Sequence, residues 1–122
     1  MSDKKFVKSY LEDLSSLLQP NEEIINKIIE VKNLVLSLKS AGRKVMIFGN
    51  GGSAAIASHV SVDLTKNALV RCVNFNEADL ITCFSNDYGY DKWVEKAVEF
   101  YGDEGDILIL ISSSGRSPNM IN

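Results

Sequence analysis

Lys44-Val45-Met46-Ile47-Phe48-Gly49-Asn50-Gly51-Gly52-Ser53 sets the reading of this chain. A short apolar run passes straight into a turn of glycine and asparagine, and the residues after it carry helical spacing. Continuous apolar runs of this length mark strands buried on both faces. A second unit repeats the plan: Asp106-Ile107-Leu108-Ile109-Leu110-Ile111 runs into Ser112-Ser113-Ser114-Gly115-Arg116-Ser117. Such turns expose backbone N–H groups and hydroxyls where a helix begins, which favours anions. Two of them in 122 residues point to a site for a phosphorylated small molecule.

Upstream of the first strand, Phe6, Val7, Tyr10, Leu11, Leu14, Leu17 and Leu18 recur at helical spacing, and Gln19-Pro20 ends that helix. Asn21 is an N-cap for a second helix, with Glu22 and Glu23 in its first turn and Gly42 beyond its end. The apolar positions from Ile24 to Leu38 span an arc of roughly 220°, wider than a surface helix needs. We therefore expect this helix to be buried on two sides, against its own domain and against another subunit. Between the two loop units the sequence predicts a helix to about Lys66 and a strand from Leu69 to Phe75. A short helix capped by Asn76, a loop over Ser85-Asn86-Asp87-Tyr88-Gly89-Tyr90 and a helix capped by Asp91 follow; Trp93 and Tyr101 read as core. Alternating strands and helices give an α/β fold, a parallel sheet flanked by helices on both faces and preceded by an N-terminal helical pair. Residues 1–42 form that pair and residues 43–122 the sheet domain. Ser117 caps a last helix with Pro118 at its first position, and that helix is cut short at Asn122, so we expect a longer parent protein.

A net charge of −3, with 45% hydrophobic and 24% charged residues, is ordinary globular composition and gives no reason to expect nucleic acid as a partner. No apolar stretch approaches a membrane span, and the N-terminus has no secretory pattern, so a cytoplasmic protein is expected. Cys72 and Cys83 have no metal-type spacing and read as buried, reduced thiols.

The first loop is not a P-loop, because no Gly-Lys-Ser/Thr follows, and it has Ala54 where a dinucleotide fingerprint needs its third glycine. Gly51 and Gly52 permit close backbone approach, and Ser53 can cap the following helix or donate to a ligand. In the second loop Ser112, Ser113, Ser114 and Ser117 suit the oxygens of a phosphate monoester, with Arg116 adding a charge. His59 and Asp63 share a helix face. The carboxylate could remove a carbon-bound proton beside a carbonyl, the pair could supply two metal ligands, or the two could make a surface hydrogen bond. Asn86-Asp87 alone is turn chemistry.

Taken together, Gly49-Asn50-Gly51-Gly52-Ser53-Ala54, His59, Asp63-Leu64-Thr65, Ser85-Asn86-Asp87-Tyr88-Gly89-Tyr90, Glu104-Gly105-Asp106 and Ser112-Ser113-Ser114-Gly115 with Ser117 resemble the sugar-isomerase (SIS) family, in its phosphoheptose isomerase branch. The resemblance implies an SIS-type doubly wound fold. It also implies an aldose–ketose isomerase that converts sedoheptulose 7-phosphate to D-glycero-D-manno-heptose 7-phosphate by enediol proton transfer, toward bacterial surface polysaccharide. By position, Asn50, Gly51, Gly52 and Ser53 would line the sugar, Asn86 and Asp87 would bind its hydroxyls, and the four serines would hold the phosphate. Asp63 would stand where the family has its catalytic glutamate and could also contact substrate. His59, with Asp63, would serve a zinc ion or the substrate. A homotetramer is implied as well.

The chain departs from the pattern in three ways. Asp63 is one methylene shorter than the glutamate, the family's later histidine and glutamine lie beyond Asn122, and Arg116 replaces a small or polar residue. The resemblance leaves a second expectation open, a non-catalytic sugar-phosphate-binding or protein-interaction module of the kind that associates with a replication initiator. A sensor domain of a transcription regulator is a third, weakened by the lack of any helix-turn-helix signal.

Overall fold

The computed structural model describes residues 2–122. Its elements run α1 (Asp3–Leu17), α2 (Glu22–Ala41), β1 (Val45–Gly49), α3 (Gly52–Lys66), β2 (Cys72–Asn74), α4 (Ala78–Tyr88), α5 (Trp93–Tyr101), β3 (Ile107–Ile111) and α6 (Pro118–Ile121). The three strands are parallel in the order β2-β1-β3, with Val45 opposite both Cys72 and Ile107.

β1 explains why the sheet has helices on both faces. All five of its residues are buried. Val45 and Ile47 pack with Val35 and Leu38 of α2, Ala57 of α3, Val70 and Cys72. Met46 and Phe48 face the other way, onto Phe75, Trp93, Val94, Ala97 and Met120. Phe48 stacks on Phe75 at 5.1 Å and meets the edge of Trp93 at 5.8 Å. A continuous apolar strand is thus what a two-layered cover requires.

β3 is covered less evenly than its sequence predicts. Ile107, Ile109 and Ile111 pack against the first cluster, whereas Leu108 and Leu110 remain 44% and 40% exposed. β2 is shorter than the predicted Leu69–Phe75. Leu69 adopts φ +55° and the Val70 N–H bonds back to Leu64, so the chain is still closing α3 where a strand was expected. On the outer edge of β2, the Thr65 hydroxyl both accepts from the Cys72 N–H at 3.1 Å and lies 3.2 Å from the Cys72 carbonyl.

The expected loop at Ser85–Tyr90 is corrected as well: α4 continues through Ser85, Asn86, Asp87 and Tyr88 and ends at Gly89. Phe84 and Tyr88, one helical turn apart, pack on each other and on Phe100 of α5, which offsets the turn preference of Asn-Asp. The expected caps shift too. Glu77 and Lys92, not Asn76 and Asp91, stand at the N-cap positions of α4 and α5. Tyr101 is not core but half exposed, tilted over Phe75 at 5.1 Å. Cys72 is buried and its thiol is pushed up to about 11 by loss of solvent, but Cys83 is exposed.

By packing, the chain divides into one unit ending at Asn33 and another from Leu34 to Asn122. The last turns of α2, with buried Val35 and Leu38, therefore belong to the sheet unit. In the first unit, Asn21 Oδ1 caps α2 by accepting from the N–H groups of Glu23 and Ile24. No side chain of α1 is buried, and Ile24, Ile28, Ile29 and Val31 of α2 are exposed. Burial of α2 against its own domain is thus confined to Val35 and Leu38, and the expected contact with another subunit would fall on the exposed residues.

Candidate functional site

Gly49 of β1 pairs with Ile111 of β3, so the two loops leave the carboxyl ends of adjacent parallel strands side by side. That edge is where open parallel sheets bind ligands. In the first loop the close backbone approach falls at Gly49 rather than at Gly51 or Gly52. A Cβ there would lie 2.4 Å from the Ser53 carbonyl carbon and oxygen, whereas none at Gly51 or Gly52 would meet an atom within 4 Å. Gly51, at φ +53°, is the N-cap of α3. Ser53 is therefore inside the first turn and does not cap the helix, a correction to the expectation; its N–H bonds to the Asn50 carbonyl at 2.9 Å.

Across the gap, Asn50 and Asn119 form a reciprocal carboxamide pair. Asn50 Nδ2 donates to Asn119 Oδ1, and Asn119 Nδ2 to Asn50 Oδ1, both at 2.9 Å. The Tyr90 hydroxyl, from the α4–α5 connection, donates to the same Asn50 oxygen at 3.0 Å. Three segments distant in sequence thus converge on one side chain. Sequence reasoning missed Asn119, which is 4% exposed. The only signal was a carboxamide beside the apolar Met120 in the helix that follows the serine loop. It also gave Tyr90 no role.

In the second loop, the Ser112 hydroxyl lies 3.2 Å from that of Ser117 and 3.5 Å from that of Ser114. The Gly115 N–H closes the turn on the Ser112 carbonyl, and the Arg116 N–H donates to Ser114 Oγ. Ser113, Ser114 and Arg116 are exposed, and Ser117 precedes α6 with its hydroxyl turned to Ser112 rather than capping the helix. The structure brings three of the four candidate hydroxyls into one cluster.

His59 and Asp63 do share a face of α3, with Nε2 3.5 Å from Oδ2 and side chains 81% and 53% exposed. No hydrogen bond joins either to the two loops among the described residues. They give two donors, and among the described residues no three His, Cys, Asp or Glu side chains gather as a metal site would need. A catalytic zinc takes three protein ligands and a structural one four, so this pair alone does not make a zinc site. Asn86 donates to Asp87 Oδ1 at 3.0 Å, and both are exposed at the end of α4. That end is tied to Asn50 through Tyr90, two residues beyond Tyr88.

α3, which carries Ser53, His59 and Asp63, is fixed by two carboxamides, of which the sequence assigned Asn76 to a cap and Asn74 to a strand. Asn76 Nδ2 donates to the Ala54 carbonyl at 2.8 Å and to Ser58 Oγ at 2.7 Å. Asn74 Nδ2 donates to Ser61 Oγ at 2.8 Å.

The SIS domain model matches residues 9–122. A phosphoheptose isomerase of Sulfurimonas denitrificans is 35% identical over 98% of this chain and 66% of its own length. Among solved structures, a phosphoheptose isomerase from Francisella tularensis superposes with a TM-score of 0.87 at 28% identity, covering 98% of this chain and 65% of that one. The phosphoheptose isomerase of Neisseria gonorrhoeae gives 0.84 at 28%, over 97% and 64%. The chain thus spans just under two thirds of the length of these relatives. With its doubly wound parallel sheet and paired loops, it belongs to the SIS domain family.

Proposed function

We propose that the protein is an aldose–ketose isomerase of a heptose phosphate, converting sedoheptulose 7-phosphate to D-glycero-D-manno-heptose 7-phosphate. The observation that carries this reading is the pairing of Gly49 with Ile111, which sets a glycine loop and a serine loop side by side at the sheet's carboxyl edge. The similarity to phosphoheptose isomerases supplies the substrate class. In this reading Ser112, Ser113, Ser114 and Ser117 take the phosphate, Gly51, Gly52 and Ser53 meet the sugar chain, and Asn86 and Asp87 bind hydroxyls. After ring opening, Asp63 takes a proton from the carbon next to the carbonyl. The enediol that results is reprotonated at the adjacent carbon, so the carbonyl moves by one position.

The test is exchange of a C1 proton of sedoheptulose 7-phosphate with solvent, followed by NMR. Wild type should exchange it, and Asp63→Asn should abolish exchange while leaving binding intact. Normal turnover in Asp63→Asn removes Asp63 from the mechanism. Binding without any exchange in wild type favours the second reading, a non-catalytic sugar-phosphate-binding module. One observation favours that reading: the carboxylate at this position is one methylene shorter than the family's glutamate, and a misplacement of about 1 Å can cost about 100-fold in rate.

We also propose a homo-oligomer, a tetramer by family likeness, assembled through the first two helices. The exposed Phe6, Tyr10 and Leu14 of α1 and Ile24, Ile28 and Val31 of α2 support it, since large apolar side chains left bare along helix faces mark interaction surfaces. Light scattering at micromolar concentration should show the assembly, and Ile28→Glu should dissociate it; a wild-type monomer overturns the proposal. No described helix is long and apolar enough to cross a membrane. A cytoplasmic place, in the supply of heptose for surface polysaccharide, follows from the same likeness. Its check is fractionation of cells that express the tagged protein.

A further inference from the structure

The hydrogen bonds of Asn50 account for nearly all that its side chain can do. A carboxamide oxygen has two lone pairs and its nitrogen two N–H donors. Here Oδ1 accepts from Asn119 Nδ2 and from the Tyr90 hydroxyl, and Nδ2 donates to Asn119 Oδ1. The oxygen is saturated and cannot accept from a sugar hydroxyl. Asn119 in turn is buried, with one lone pair of its carboxamide oxygen and one of its N–H groups engaged by Asn50.

We propose that Asn119 is a positioning residue: it acts through Asn50, fixing the glycine loop at a set distance from the serine loop so that backbone groups of Gly51 and Gly52, not the Asn50 oxygen, meet the sugar chain. This rests on the heptose-phosphate reading above. The physical logic is that Asn50 is the residue from which α3 is launched. Its carbonyl accepts from the Ser53 N–H at 2.9 Å, so holding its side chain holds the whole turn. Asn119 follows the serine loop by two residues, so the clasp links the two loops directly. Tyr90 adds the α4–α5 connection as a third support. The clasp is closed by the chain's own side chains, and preset groups lose less on binding.

The test uses the full chain, with calorimetry of sedoheptulose 7-phosphate and, separately, of inorganic phosphate. Asn119→Ala should weaken sugar-phosphate binding about tenfold, the order expected for losing a buried hydrogen-bonded pair, and leave inorganic phosphate unaffected. In an Asn50→Ala background the same change should add little, because the two residues act as one. Equal loss for both ligands, or losses that multiply in the double variant, overturns the proposal. Should Asn119→Ala fail to fold, Tyr90→Phe, at an exposed side chain, reads the same clasp with a smaller loss that again vanishes in the Asn50→Ala background. If wild type binds neither ligand, the heptose-phosphate reading fails by itself. The clasp is then judged by amide exchange at Gly51 and Gly52. Faster exchange in Asn119→Ala that Asn50→Ala does not increase supports it, and unchanged exchange overturns it.

Discussion

At the amino ends of β1 and β3, Lys44 Nζ reaches Asp106 at 2.5 Å and Asp103 at 2.8 Å. Asp106 also accepts from the backbone N–H groups of Lys44 and Asp103. At the carboxyl ends of the same two strands, the link is a pair of carboxamides and a tyrosine, all uncharged. One strand pair is therefore fastened by charge at one end and by dipoles at the other. One ammonium between two carboxylates leaves the clip net negative, with nothing to offer an anion. A clasp of dipoles sets geometry without placing a carboxylate of its own at the proposed phosphate site. The end that holds and the end proposed to bind thus differ in residue type.

The largest effect that would break this contrast is expected at Gly49. Gly49→Ala would push a Cβ into the Ser53 backbone, which cannot swing aside as a side-chain tip can. A loss of about 3 kcal/mol or more, or failure to fold, is expected in a thermal melt. A tolerated alanine would show that the binding end is looser than its geometry states.

Next comes the clip. Asp106→Ala removes the buried partner of Lys44, leaving only the exposed Asp103, and should cost about 2–4 kcal/mol in denaturant unfolding, with sugar-phosphate affinity unchanged. The same residue gives a pH signature. Burial works against the Asp106 charge, but the hydrogen bonds from Lys44 and from the Asp103 and Lys44 backbone outweigh it and hold the carboxyl below its ordinary value of 3.8. A carboxyl depressed in the folded state contributes stability above its unfolded value and loses it as pH falls through its folded one. Wild type should therefore lose stability as pH falls below about 4, and Asp106→Asn should show a flatter acid limb. Identical acid limbs would remove the clip from the account.

The smallest effect sharpens the other side. Ser112→Ala with Ser117→Ala should leave the melt almost unchanged and weaken sugar-phosphate affinity by about 1–3 kcal/mol, since hydrogen bonds to a charged group are lost. Unchanged affinity in calorimetry would take the phosphate away from this loop.

Sequence made β1, β3 and the two loops legible because their signals are local: unbroken aliphatic runs, then residues that cannot continue a strand. The helical pair was legible from its 3.6-residue period. What escaped depends on distant partners. α4 runs on through Asn86 and Asp87 because Phe84 and Tyr88 pack on Phe100 of another helix, which no local turn rule registers. β2 is short because Leu69 and Val70 are still closing α3. Asn119 escaped because its partner, Asn50, is 69 residues away. His59 and Asp63 were legible as a face-sharing pair by spacing, while the catalytic role proposed for Asp63 came only from family likeness.

Thr65 has a consequence for how this sheet can grow. By occupying both the N–H and the carbonyl of Cys72, one hydroxyl plugs the outer rim of β2 at that residue. The opposite rim is β3, an aliphatic strand with two leucines half bare. Sheets recruit strands at open rims. The sheet therefore has a valence of one: a further strand, native or stray, is directed to β3, and the chemistry that keeps aggregation in check is needed on that side.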